Sequence, residues 1–145
     1  MTEARRDLPQ LLGEARRWFE DGLLAALEAG GVPAVTPAQV QLFAALDAEG
    51  TTVAELARRV GVTRQTVHQA VRSLIAAGLL EQIPDPASAR QRLVRRTPAG
   101  RYAHDRARRA LGRLEARLAE RIGEEALAAL RSALEAPWGD PPGRR

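Results

Sequence analysis

The residues best suited to chemistry lie in one short run: Thr63, Arg64, Gln65, Thr66, His68, Gln69 and Arg72. Between them fall Val67, Ala70, Val71, Leu74 and Ile75, which at helical spacing occupy the opposite, apolar side. Arg presents a planar fork that can clasp guanine O6 and N7 together, and Gln can do the same for adenine N6 and N7. The hydroxyls of Thr63 and Thr66, next to a helix N-terminus, suit phosphate oxygens. This is the chemistry of reading duplex DNA, with no bond made or broken. Taken alone, the same face would serve equally well as a solvated helix surface, because helical hairpins are common.

Other chemistries find no machinery. With no Cys, the chain lacks disulfides, thiolate metal sites and thiol nucleophiles. The two His, His68 and His104, stand 36 positions apart and make a poor metal-ligand set. No Ser-His-Asp set, carboxylate pair or phosphate-cradling Gly run occurs, so neither an enzyme nor a cofactor is expected. The start, MTEARRDLPQ, has no apolar core segment, and no stretch has the length of a membrane helix. The expectation is a soluble, cytoplasmic protein with no membrane partner.

A reading helix needs elements that hold it. Upstream, Thr52-Val53-Ala54-Glu55 forms a capping-box signal that opens a short helix burying Leu56, Ala57 and Val60, with a break at Gly61-Val62. Thr63 then caps the reading helix, which runs to about residue 77 before Gly78. Further upstream, Thr36-Pro37-Ala38-Gln39 opens a helix carrying Val40, Leu42, Phe43 and Leu46, predicted to stop at Gly50. After Gly78 the pattern becomes a hairpin, with strands over 79–83 and 92–97 joined by a long tip of about eight residues. That hairpin carries Arg90, Arg92, Arg95 and Arg96, and it shifts the balance toward DNA, since a basic ribbon beside a reading helix reaches phosphates or the minor groove.

Charge follows the same division. All 22 basic residues are Arg, which by itself says little. Residues 51–110, however, hold 12 Arg against 4 acidic residues, a net of +8. Residues 1–50 carry a net of −4, and residues 111–145 are neutral. One basic block between less basic flanks is the asymmetry of a nucleic-acid face.

Outside the block lie amphipathic helices. One spans 8–28, with Leu11 and Phe19 on its apolar side. A long one opens at Thr97-Pro98 and carries Leu111, Leu114 and Leu118. A last one, after Gly123, carries Leu127 and Leu130. Residues 136–145 read as a loose Pro/Gly-rich tail.

The runs TPAQVQLFAAL, TTVAELARRVGVTRQTVHQAVRSLIAAGLLEQIPDP and RLVRRTPAGR together resemble the MarR (multiple antibiotic resistance regulator) family over residues 36–101. The resemblance implies a single mainly α domain with a small β-wing, a winged helix-turn-helix with N- and C-terminal dimerisation helices. Its DNA-binding lobe would be 36–97, with dimerisation helices at 8–30 and 98–135. It further implies a homodimeric transcriptional regulator, a repressor on a pseudo-palindromic operator, released by a small aromatic effector. The double-stranded DNA contacts would be Thr63, Arg64, Gln65, Thr66, His68, Gln69, Arg72, Arg90 and Arg92. Leu11, Phe19, Leu111, Leu114, Leu118, Leu127 and Leu130 would form the dimer interface, and Arg16, Trp18 and Phe43 would meet the effector. For Trp18 and Phe19, plain core packing is the competing reading.

Several positions depart from the family pattern, His68, Gln69 and Arg72 on the reading helix among them, so the operator sequence cannot be borrowed. Ser88 and Ala89 replace the Asp and first Arg of a wing that usually reads Asp-Pro-x-Asp-Arg-Arg, leaving Arg90 at the tip. Arg96 stands where an inward Leu is usual, which predicts a strand end that packs less well or presents an extra cation. The rival functions are an architectural DNA binder without sequence preference and a winged helix used for protein interaction.

Overall fold

A computed structural model describes residues 4–143. The element order is α1 (Leu8–Ala29), α2 (Pro37–Ala44), α3 (Val53–Val60), α4 (Arg64–Ala76), β1 (Leu80–Asp85), β2 (Ser88–Arg96), α5 (Pro98–Ile122) and α6 (Glu124–Glu135). β1 and β2 form a two-stranded antiparallel ribbon, so the described chain is mainly α with a β-wing. It divides into two compact units, one ending at Leu111 and the other starting at Gly112.

In the first unit, polar caps set the helix starts as their sequence predicts. Thr36 and Gln39 close a reciprocal capping box at α2, with Pro37 in the first turn. Thr63 Oγ1 accepts from the Thr66 amide at the start of α4. At α3 only half of the expected box forms. Thr52 Oγ1 accepts from the Glu55 amide, but the Glu55 carboxylate turns away to Arg58 and Arg59. Those two cations compete successfully for the acceptor that the cap would have used.

α2 ends at Ala44, several residues before the predicted stop at Gly50. Arginines claim the carbonyls there. Arg59 Nη1 donates to Ala45 O at 2.8 Å, and Arg96 Nη2 donates to Phe43 O at 2.6 Å and Leu46 O at 3.2 Å. A cation at a helix C-terminus satisfies carbonyls left without partners and opposes the negative end of the dipole.

Leu56, Val67, Val71, Leu74, Leu80 and Val94 are the largest fully buried side chains, and they place the core between α3, α4 and the ribbon. Thr51 adds a bridge to that ribbon, exchanging both backbone hydrogen bonds with Val94 at 2.9 Å. α5 begins against the end of α4. Thr97 Oγ1 accepts from the Gly100 amide and donates to Gly78 O at 2.6 Å. Gly100 is dictated by proximity, because a Cβ there would lie 2.0 Å from the Leu79 carbonyl oxygen. α1 is tied to α5 by Arg106 Nε, which donates to Ala26 O at 2.9 Å, and by the Tyr102 hydroxyl, which donates to Gly30 O.

The wing differs from its expected form. Its strands run on to Asp85 and Ser88, so the tip is the Pro86-Ala87 pair and not a long loop. Asp85 Oδ1 accepts from the Ala87 amide at 2.9 Å, a local turn that closes the tip. Pro84 pairs with Arg92 and Asp85 with Ser88, so Ala89, Arg90 and Gln91 stand unopposed in a bulge. Proline has no N–H for the ladder and is tolerated beside such a bulge.

The second unit holds the end of α5, from residue 112, and α6. α6 buries no residue. Leu114, Leu118 and Leu127 are half-buried, and Ile122, Leu130, Leu134 and Trp138 are exposed. The tail expected over 136–145 lacks helix and strand as far as residue 143; its last two residues, Arg144 and Arg145, lie outside the described residues.

Candidate nucleic-acid interface

α4 sorts its residues by face as its periodicity requires. Val67, Val71 and Leu74 are buried at 0–1% exposure, whereas Arg64, Gln65, Thr66, His68, Gln69 and Arg72 are exposed. Ile75, predicted to face inward, is 37% exposed at the last turn. α3 packs on α4 and holds it from behind.

At the N-terminus of α4 the two threonine hydroxyls lie 2.9 Å apart, and one donates to the other. The Thr63 oxygen also caps the Thr66 amide, so this pair leaves one hydroxyl proton for an outside acceptor.

Arginines in and around the lobe fall into two groups. Among the described residues, Arg64, Arg72, Arg90 and Arg92 make no salt bridge. Behind them, Arg59 grips both carboxylate oxygens of Asp47 at 3.0 Å, and Arg95 meets Glu81 at 2.6 Å. The Arg59 contact holds Asp47 below the ordinary carboxylate range and pushes the guanidinium up. Arg64 and Arg72 on α4 and Arg90 and Arg92 toward the wing tip therefore keep their donors for solvent, while Arg59 at the α2–α3 junction and Arg95 at the wing base are spent inside the fold.

Arg96 turns inward. It is 8% exposed, bonded to the end of α2, and its guanidinium carbon lies 5.1 Å from the centre of the Phe43 ring. The strand end thus packs well and presents no extra cation, because helix-end carbonyls supply the acceptors that an apolar site would lack. Its Nε is a buried donor without a partner.

A cavity of about 190 Å³ lies beside this junction, walled by Phe43, Leu74 and Leu79, with Gln39, His104 and Arg108 as its polar groups. Burial lowers the His104 pKa, and the nearby charges of Arg96 and Arg108 lower it further. Gln39 also reaches α4, donating from Nε2 to Ser73 Oγ at 3.2 Å. Of the effector residues expected from sequence, Phe43 lines this cavity. Arg16 lines an adjoining groove that shares Leu23, Val40 and Leu111 with the cavity, and there it is paired with Glu20 at 2.8 Å. Trp18 is 39% exposed, meets Phe19 edge-on at 4.9 Å and lines neither. Sequence reasoning missed Gln39 and Arg108 and weighed His104 only as a metal ligand. The signal for them was their position on the α2 and α5 faces that also carry Phe43, Ala103 and Ala107.

Among the described residues, no group of His, Asp and Glu is placed to hold a metal ion, and no helix is long and apolar enough to cross a membrane. Of the residues expected at the dimer interface, Leu11, Leu111 and Leu130 are exposed, while Phe19, Leu114, Leu118 and Leu127 are half-buried.

Residues 35–91 match the model of the MarR family. Among solved structures, apo wild-type MarR from E. coli is similar with a TM-score of 0.72 at 20% identity, covering 93% of this chain and 99% of that one. The transcriptional repressor CouR bound to a 23-mer DNA duplex gives a TM-score of 0.72 at 28% identity, over 88% of this chain and 89% of that one. CouR from Rhodococcus jostii RHA1 bound to p-coumaroyl-CoA gives 0.72 at 21%, over 93% and 94%. None of the curated proteins matches the sequence.

Proposed function

We propose that this protein is a sequence-specific DNA-binding transcriptional regulator of the MarR family, on the match of residues 35–91 to that family's model and on the fold the chain shares with MarR of E. coli. The observation that carries the reading is the solvent face of α4, where Arg64, Gln65, His68, Gln69 and Arg72 stand exposed with both arginines unpaired among the described residues. α4 enters the major groove with Arg64 and Gln65 nearest the base edges. Thr63 and Thr66 take a phosphate, and Arg90 and Arg92 on the wing take backbone or minor-groove contacts. The similar CouR complex with DNA supports the same use of the fold.

The protein acts as a homodimer on a pseudo-palindromic operator, where it represses. Leucines recur at helical spacing on α5 and α6 and are left half-buried or exposed, which is a surface for a partner helix. The effector site is the cavity at Phe43. Its volume of about 190 Å³ resembles cavities of roughly 150 Å³ that hold a benzene ring, so a single-ring aromatic acid fits. Arg108 would meet its carboxylate, in place of the Arg16 that the sequence suggested.

Selection of binding sites from a random duplex library at near-physiological salt tests the central reading. An inverted repeat preferred by about a thousandfold or more over scrambled duplex is the expected result. Indifference to sequence would indicate an architectural binder, and no DNA binding would indicate a protein-interaction module. Thermal shift with single-ring aromatic acids tests the cavity.

A further inference from the structure

Arg96 is the arginine of the ribbon that cannot touch DNA, yet it sits where it can decide what the others touch. It occupies the last position of β2, opposite Leu80, and is 8% exposed. Three attachments hold the base of the ribbon, each to a different element. The Val94 backbone bridges to Thr51, Thr97 bonds to Gly78 at the end of α4, and Arg96 bonds to Phe43 O and Leu46 O at the end of α2. The Phe43 ring beneath the guanidinium fixes its plane.

Leverage makes this third attachment matter. At about 3.3 Å per residue, the ribbon reaches some 20–25 Å from Arg96 to its tip. A tilt of about 10° at the base would move the tip by roughly 4 Å, more than the tolerance of a hydrogen bond.

We propose that Arg96 is a positioning residue that ties the wing to the end of α2 and thereby sets where Arg90 and Arg92 are presented to DNA. The proposal rests on the DNA-binding reading for its consequence but not for the tie itself. A Leu at this site would fill space but leave Leu46 O without its donor and Phe43 O with only the long bond from the Leu46 amide at 3.4 Å. A Lys would keep the charge and one bond but lose the plane that lies on Phe43.

The experiment compares wild type, Arg96→Leu and Arg96→Lys by hydrogen exchange in the DNA-free protein and by the salt dependence of binding to the selected duplex. In Arg96→Leu the amides of residues 80–83 and 93–95 should exchange about tenfold faster, with those around Leu23 and Leu27 on α1 unchanged. The slope of log affinity against log salt should become shallower by about 1–2 as wing cations lose their phosphates. Arg96→Lys should fall between the two, and it carries the test alone if Arg96→Leu does not fold. Exchange that is unchanged, or that rises equally throughout the chain, overturns the tie. Locally faster exchange with an unaltered salt slope overturns the positioning role. If wild type binds no duplex, the functional reading fails, and the exchange comparison still decides the tie.

Discussion

The front and back of the winged helix lobe are built from the same cation and use it in opposite ways. On the back, Arg59 and Arg96 end α2 by taking its carbonyls, and Arg59 also holds Asp47. On the front, Arg64 and Arg72 on α4 and Arg90 and Arg92 on β2 have no internal acid. Residue type does not separate the two groups. What separates them is whether an acceptor lies within reach inside the fold, so placement is the informative quantity in a chain whose basic residues are all Arg.

On this division, front substitutions change DNA recognition and spare stability, while back substitutions act first on the fold, and Arg96 reaches DNA only through the wing it holds. The largest expected effect is at Arg64. Arg64→Ala should cost about 1–3 kcal/mol at the selected site and relax preference at one base pair, read by titrating single-base variants of the duplex. Next comes Gly100→Ala, where the new Cβ meets the Leu79 carbonyl and cannot push it aside easily. It should lower unfolding free energy by about 1–3 kcal/mol in urea titration while base preference stays as in wild type.

A smaller effect is expected at Arg90. Arg90→Ala should weaken binding to every duplex alike, by about tenfold or less, with a salt slope shallower by about 1. A base-selective loss there would move sequence reading onto the wing.

The smallest effect concerns pH. Burial and neighbouring cations lower the His104 pKa, so the folded state binds fewer protons than the unfolded chain near that site. Stability is then fully present above about pH 6.5 and declines as pH falls toward the lowered folded value. His104→Gln should flatten the thermal midpoint between pH 7.5 and 5.5, where that of wild type declines. An identical decline in both proteins would place the titration elsewhere.

Much of the lobe was legible because its signals are local. Thr36 with Gln39, and Thr63 with its apolar partners at Val67 and Val71, specify helix starts and faces through bonds made within a few residues. Three features were not legible in this way. Pro84 and Pro86 read as turn residues, yet a bulge lets the strands continue almost to the tip. Arg96 read as a misfit because Arg is rarely buried; its acceptors lie about fifty positions away in sequence. The cavity likewise joins Phe43 to His104 and Arg108 across long separations, so the sequence offered Phe43 but set it beside Trp18 and Arg16, which do not line the cavity.

The most direct test of the account replaces Arg64, Arg72, Arg90 and Arg92 by Ala together and measures affinity for the selected duplex across a salt series. A folded protein whose slope of log affinity against log salt is shallower by about 2–3 for each protomer bound is the expected result, with base preference at the Arg64 position lost as well. A slope equal to that of wild type would contradict it, because the cations that meet DNA would then lie elsewhere on the molecule.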